Sequence, residues 1–506
     1  MTRAARLAPR LAAALAGLVA IGAVLFVAVS RLGYPFAIEQ LEGNSLVEVH
    51  RILAGQSLYQ APSVGYVPDG YPPLYFALAA GVARVIGQSY LPLRLVSLVS
   101  ALACFGLLAR LVQRETGSLA AGVGAAGAFA ATYFVTGTWF DVGRVDSLFL
   151  ALSLAGLYAA RWMRSLPGAV GAGLLLAAAA LTKQTALAEG AAVLAVLLLT
   201  GPTRSTARGR RLARVAALTW ALAVGLATLV LGLTSGGWYI YYIFPLMSEH
   251  SLTASHVSWF WTLLATAMGL VACAALIGAR RVPRELLAGG AALVIEGYAA
   301  LVHSGGSLND VLPAYLAVAL LAGLALGRDE TRWAGIAAPL LVLAQTVTLL
   351  AGAHPGQAIP TAADRSAGDR LLAGMRAFGG DVAVPQEPAL NLLAGTAPAA
   401  HPGAVYDVVR GTDQTAIADY QRSAVGAVQA LQFSAIITDG PGAPFYDPPG
   451  LLQGYLECEQ PPAAGDQSTL LVPAAAAGLR PAVVWVPWGG ISCQDAFRVL
   501  EDGRGR

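Results

Sequence analysis

Phe36 to Phe76 reads FAIEQLEGNSLVEVHRILAGQSLYQAPSVGYVPDGYPPLYF, the longest polar interruption in the first two-thirds of a very apolar chain. It holds four acids, Glu39, Glu42, Glu48 and Asp69, and ends in a stiff Tyr71-Pro72-Pro73 corner. Apolar segments flank it on both sides, so it reads as a large loop at one face of a membrane.

The composition outside the loop points the same way. The 506 residues are 56% hydrophobic and 12% charged, with a mean hydropathy of +0.62. Soluble domains carry about 25% charged residues. Half that value, with apolar runs of about 20 residues recurring, describes a polytopic all-α membrane bundle. A net charge of +3 says little, because in membranes placement outweighs the sum. Arg clusters are short, sit between spans and lack interleaved aromatics, so nucleic acid is not expected as a partner.

Arg3, Arg6 and Arg10 precede an apolar run from Leu11 to Ser30. At about 20 residues it exceeds a signal-peptide core, and reads as a retained first span with a cytoplasmic N-terminus. Pro73 to Ile86 is short, contains Arg84 and reads as an interfacial helix. Further spans are expected near Leu91–Ala109, Leu119–Thr138, Ser147–Ala160, Gly168–Leu181, Thr185–Thr200, Val215–Leu233, Ser258–Gly278, Leu286–Val302, Val311–Gly327 and Trp333–Ala351. That makes about eleven transmembrane helices, some short of the usual ~20 residues. The positive-inside rule then puts Arg110, Arg114, Arg161, Arg164, Arg204, Arg208, Arg210, Arg211, Arg214, Arg280, Arg281, Arg284, Arg328 and Arg332 on the cytoplasmic side. Glu39, Glu42, Asp141, Asp146, Glu249, His250, His256, His303 and Asp310 face out. This sorting requires Gly168–Thr200 to be a hairpin with Lys183 at its outer tip.

Beyond Gly352 the apolar runs shorten. Residues 353–506 read as a soluble α/β domain, extracytoplasmic because the span number is odd. Strands are expected at Asp381–Pro385, Ala435–Thr438 and Ala482–Val486, and a helix over Arg370–Ala377. Cys458 and Cys493 fall in this part and can pair if it is exported, while Cys104 and Cys273 lie in apolar segments as packing residues.

Glu39, Glu42 and Asn44 come just after the first span. From Ser45 a short amphipathic helix runs to a stop at Gly55. A carboxylate held there can take a proton from an acceptor hydroxyl. Glu48 and Asp69 read as loop-solvating acids. Asp141, Arg144 and Asp146 cluster at the outer end of one span. Lys183 is the single lysine among 32 Lys and Arg residues, between two apolar segments, and suits a phosphate as a compact point charge. His303 to Asp310 is a Gly-rich polar link between spans, and the Trp and Tyr residues from Gly236 to Trp261 read as an interfacial belt. His-x-x-x-His, Cys-x-x-Cys, multi-aspartate and Gly-x-x-x-x-Gly-Lys phosphate-loop motifs are missing from the sequence, so neither a metal nor another cofactor is expected.

The loop resembles the first outer loop of the C-type membrane glycosyltransferases, the superfamily that includes protein O-mannosyltransferases and the aminoarabinose transferases that modify lipid A. The resembling elements are Glu42-Gly43, Gly55-Gln56-Ser57-Leu58-Tyr59 and Tyr71-Pro72-Pro73-Leu74. The family's usual Asp-Glu pair is here Leu41-Glu42, which leaves the catalytic acid open between Glu42 and Glu39. Residues 1–352 would then be the transferase domain, with the catalytic loop at 31–90. The resemblance implies an inverting transfer of a sugar from a polyprenyl-phosphate donor to an extracytoplasmic glycan, lipid or protein. It implies donor-phosphate contacts from Arg144 and Lys183, and substrate contacts from Asp146, Asp141, His303, Asn309 and Tyr71. Asp407, Arg410 and Asp413 form the one polar cluster to watch in the C-terminal part, with a solvated face the plainer reading. The rival is a lipid-linked sugar transporter without bond chemistry, which calls for charged groups near mid-membrane.

Overall fold

Apolar runs punctuated by Gly, Pro and Ser produce helices over most of the chain. In order they are α1 (Arg3–Arg31), α2 (Glu42–Leu53), α3 (Leu74–Ile86), α4 (Tyr90–Thr116), α5 (Leu119–Ala131), α6 (Asp146–Trp162), α7 (Leu166–Ala180), α8 (Ala186–Leu199), α9 (Ala207–Thr234), α10 (Trp238–Ile243), α11 (Pro245–Ser248), α12 (Ala254–Gly278), α13 (Arg284–Val302), α14 (Leu312–Gly327) and α15 (Ala334–Ala351). The structure, a computed structural model, describes residues 3–200, 206–278, 282–327, 333–438, 454–459 and 483–502. Arg204, Arg280, Arg281, Arg328, Arg332 and Ala482 lie outside the described residues.

Each expected span contains a helix, although α5 stops at Ala131, short of the expected Thr138, and the hairpin at Lys183 is present as the turn between α7 and α8. Among the described residues, seven helical stretches are long and apolar enough to cross a membrane: α1, α4, α9, α12, α13, α15, and α14 together with the helical turn before it, Leu308–Gly327. The chain is a multi-pass membrane protein. Helices α5, α6, α7 and α8 run 13, 17, 15 and 14 residues, shorter than the ~20 that a perpendicular crossing takes.

Small residues bring the helices together. Gly17 of α1 lies on Gly127 of α5, and a Cβ on either glycine would overlap the other helix's backbone. Such small-on-small crossings replace the hydrophobic drive that lipid cannot supply. Ion pairs pin both ends of the bundle. At one end Arg161 of α6 meets Glu115 of α4 at 2.7 Å and Glu285 of α13 at 3.1 Å. The other end holds the loop that precedes α3, the start of α6, the α7–α8 turn and the link between α13 and α14, and there most buried charge collects.

The C-terminal part continues with α16 (Ala362–Phe378), β1 (Asp381–Ala383), α17 (Ala389–Ala394), α18 (Pro402–Val409), α19 (Gln414–Gln429), β2 (Phe433–Thr438), β3 (Tyr455–Glu459), β4 (Val483–Pro487) and α20 (Cys493–Asp502). Its sheet has the order β1-β2-β4-β3, with β1 parallel to β2 and the other two pairings antiparallel. Strand β2 is buried along nearly its whole length, as a strand covered on both faces must be. Cys458 and Cys493 form a disulfide, tying β3 to α20 across a sequence separation of 35.

This part packs on the loop end of the bundle. Phe36 inserts among Leu371, Val382, Ile437 and Val484. Tyr59, Val64, Tyr239 and Tyr242 join Val405, Tyr420 and Ile436 in a second core. That corrects the interfacial-belt reading of the Gly236–Trp261 stretch. Tyr239 and Tyr242 are buried core residues, and Tyr242 Oη donates to the Gln60 carbonyl at 3.1 Å. Trp261 remains exposed. A tyrosine ring can serve either setting, and the tertiary neighbours decided.

Candidate active site

Helix α2 begins at Glu42, three residues before the expected start, and ends before Gly55, whose φ of +69° lets the chain turn back. Its first residue is fully buried. Glu42 Oε1 and Oε2 accept from Arg94 Nε and Nη2 at 2.9 and 2.8 Å. Oε1 also accepts from Gly143 N at 2.6 Å, and Oε2 from Ile38 N at 2.8 Å. Burial alone disfavours the charge, but Arg94 and the two backbone donors outweigh it and hold the carboxyl below its usual range.

Glu39 differs. It lines a cavity of about 490 Å³ at the loop end of the bundle. Its Oε2 accepts from Leu41 N at 3.0 Å and stands 3.6 Å from Arg144 Nη1. Burial pushes its carboxyl up to about 7, against the pull of Arg144 and the Leu41 N–H. A carboxyl that titrates near neutrality is suited to proton transfer.

Arg144 sits in the α5–α6 connection. Its Nη2 donates to Tyr71 Oη at 3.2 Å, and its guanidinium lies 5.6 Å from the Tyr71 ring centre and 5.3 Å from that of Trp139. Nη1 is buried with no hydrogen-bond partner among the described residues. Lys183 Nζ donates to Asp146 Oδ1 at 2.9 Å and to Asp310 Oδ1 at 3.2 Å, while Asn309 Nδ2 donates to Asp146 Oδ1 at 3.3 Å. Lys183 is thus held by two acids brought from different helices. Among the described residues no group of three or more His, Cys, Asp or Glu side chains is arranged to hold a metal ion.

Of the residues singled out from sequence, Glu39, Tyr71, Arg144, Lys183, His303 and Asn309 line the one cavity. Asp146 stands behind Lys183. Glu42 and Asp141 are not among the lining residues. Asp141 instead takes Arg31 in a two-pronged pair at 2.8 and 2.7 Å and accepts from Tyr133 Oη at 2.6 Å. It staples the end of α1 to the α5–α6 connection.

Two plainer readings are corrected as well. Glu48 and Asp69 are buried, not solvated. Asp69 N donates to Glu48 Oε1 at 2.7 Å, Asn44 Nδ2 donates to Asp69 Oδ1 at 2.6 Å, and Asp69 lines the cavity. Asp407 and Arg410 also line the cavity, while Asp413 caps α19 by accepting from Thr415 N and Ala416 N. Arg94 and His401 were missed. An arginine inside the expected Leu91–Ala109 span was the available signal for the first, since a buried span cation demands a partner. Nothing local marks His401.

A bundle with a buried-acid loop and a cation-lined cavity capped by an α/β region is similar in fold to solved membrane glycosyltransferases. Residues 70–231, which include Tyr71, Arg144 and Lys183, match the family model of dolichyl-phosphate-mannose-protein mannosyltransferase. The chain is similar in structure to ArnT from Cupriavidus metallidurans in the apo state, with a TM-score of 0.59 and 13% identity, over 92% of this chain and 97% of that one. It is similar to the arabinofuranosyltransferase AftD from Mycobacteria at a TM-score of 0.53 and 16% identity, over 94% of this chain and 41% of that one. The oligosaccharyltransferase of Archaeoglobus fulgidus follows at 0.51 and 15%, over 82% and 68%. At these identities the likeness is one of fold. No curated protein sequence matches the chain.

Proposed function

We propose that the protein is an inverting glycosyltransferase that moves a sugar from a polyprenyl-phosphate donor to an acceptor hydroxyl at the extracytoplasmic face. The observation that carries this reading is that Glu39, Arg144 and Lys183 share one cavity at one end of the bundle. The match to a family described by a dolichyl-phosphate sugar donor supports the lipid-linked substrate. Glu39 takes the acceptor's proton as the acceptor oxygen attacks the anomeric carbon from the side opposite the phosphate. The bond to phosphate breaks, and Arg144 and Lys183 stabilise the charge left on it. Eleven crossings, a cytoplasmic N-terminus and an extracytoplasmic C-terminal domain over residues 353–506 complete the proposal. The Cys458–Cys493 disulfide supports that side for the domain, because such bonds persist outside the reducing cytoplasm.

One observation favours the transporter instead. Glu189 of α8 and Glu296 of α13 are buried inside the bundle, and their carboxylate oxygens have no hydrogen-bond partner among the described residues. Reconstitution separates the two readings. Vesicles with the full-length protein and radiolabelled polyprenyl-phosphate sugars should release lipid phosphate by transfer or slow hydrolysis. Lipid movement across the bilayer with no cleavage of any donor would favour the transporter.

A further inference from the structure

The cavity has a second wall, built by the C-terminal part. There α18 presents Tyr406 and Asp407, followed by Arg410, against His250 and the link between α13 and α14. Arg410 Nη1 donates to Ser304 Oγ at 3.0 Å, and Nη2 donates to His250 Nδ1 at 3.0 Å and pairs with Asp407. A guanidinium only donates, so His250 Nδ1 is the acceptor and the ring proton sits on Nε2. His250 Nε2 and Arg410 Nε are both buried and have no hydrogen-bond partner among the described residues. Asp407 Oδ1 stands 3.6 Å from that Nε2, and the Asp407 side chain is 28% exposed. The Tyr406 ring, 44% exposed, lies under the Arg410 guanidinium at 4.7 Å.

The wall therefore offers a partly exposed carboxylate and an exposed aromatic ring side by side, with Arg410 and His250 fixed behind them. Neighbouring hydroxyls donate to such a carboxylate while a C–H face packs on the ring, and an analogue without the hydroxyls loses those bonds. Peptides are commonly read along an open strand edge or in an apolar groove. Here no residue of β1, β2, β3 or β4 lines the cavity, so no strand edge is offered to a peptide.

We propose that the seam between α18 and the α13–α14 link is the acceptor subsite and that its ligand is a saccharide. This rests on the glycosyltransferase reading above and names the acceptor class for it. The sugar ring lies beside the exposed Tyr406 ring, with vicinal hydroxyls donating to the partly exposed Asp407 carboxylate. One hydroxyl reaches toward Glu39 across the same cavity. Its oxygen forms the new bond to the anomeric carbon, its proton goes to Glu39, and the lipid phosphate leaves with the electron pair.

The test uses the full-length protein in lipid nanodiscs and reads binding separately from turnover. Saturation-transfer NMR is recorded with linear oligosaccharides of mannose and of arabinose, and with a Ser/Thr-rich peptide at equal concentration. Wild-type protein should saturate at least one oligosaccharide series and not the peptide. Tyr406→Ala and Asp407→Asn should each weaken that binding at least tenfold, with thermal unfolding recorded on the same samples. If Asp407→Asn does not fold, Tyr406→Ala, which removes an exposed ring, carries the test. Peptide binding without oligosaccharide binding, or oligosaccharide binding unchanged in the variants, would overturn the proposal. Oligosaccharide binding lost in the variants supports the subsite even where no lipid-linked donor is cleaved, an outcome that would sink the transferase reading alone.

Discussion

Arg94 and Glu42 meet inside the protein as a two-pronged ion pair, with both side chains completely buried. The arginine comes from near the start of α4 and the glutamate from the first residue of α2. Arg94 also donates to the carbonyls of Tyr34 and Phe36, so one guanidinium shapes the whole entry to the loop. Removing one partner of such a pair strands a buried charge and costs about 3–5 kcal/mol.

Two neighbouring glutamates should therefore fail in different ways. Glu42→Gln is expected to lower thermal stability in detergent strongly and to lose activity with the fold. Glu39→Gln is expected to keep the wild-type unfolding temperature and lose about 10²–10⁴-fold in turnover, the usual worth of a general base. A stable, inactive Glu42→Gln beside an active Glu39→Gln would reverse the assignment.

The rate should rise with pH through a single ionisation near 7. Burial holds the Glu39 proton up to about 7, against 4.5 for a free glutamate, and only the deprotonated form accepts a proton. Below that midpoint kcat/KM should fall about tenfold per pH unit. The same shift has a stability counterpart. The folded state keeps a proton that the unfolded chain releases near 4.5, so this group's contribution is full below that value and fades as pH climbs through about 7. A pH–rate profile flat from 5 to 8 would exclude Glu39 as the base.

Lys183→Met should slow turnover about 10²–10³-fold by removing a cation from the leaving phosphate. Lys183→Arg should restore little, because a planar fork does not reproduce a point charge held between Asp146 and Asp310. Initial rates with a saturating lipid-linked donor check this, with unfolding curves as control. Full activity in Lys183→Met would remove the lysine from the chemistry.

Gly43→Ala should loosen the C-terminal part from the loop. A methyl group there would overlap the Glu387 carboxylate, whose Oε1 accepts from Tyr90 Oη at 2.7 Å. Overpacking of this kind costs about 1–3 kcal/mol. Limited proteolysis should cut the C-terminal part sooner in the variant than in the wild type, and equal rates would show that Glu387 moves aside freely.

Much of the bundle was written locally. Apolar runs, the glycine and proline stops and the arginine pattern located every helix of the expected spans, because lipid forces each crossing to satisfy its own backbone. The lone Lys183 between two short helices and the Glu-rich loop before Tyr71-Pro72-Pro73 marked the cavity from sequence alone. What remained hidden depends on long-range pairing. Glu39 and Glu42 are three residues apart and look alike in the chain. Only the approach of Arg94 and of Gly143 N, from elsewhere in the sequence, neutralises one and leaves the other against the cavity. Asp69, Asp407 and Arg410 read as solvated for the same reason. A charge's burial is set by what the rest of the fold lays over it, and that packing has no local signature.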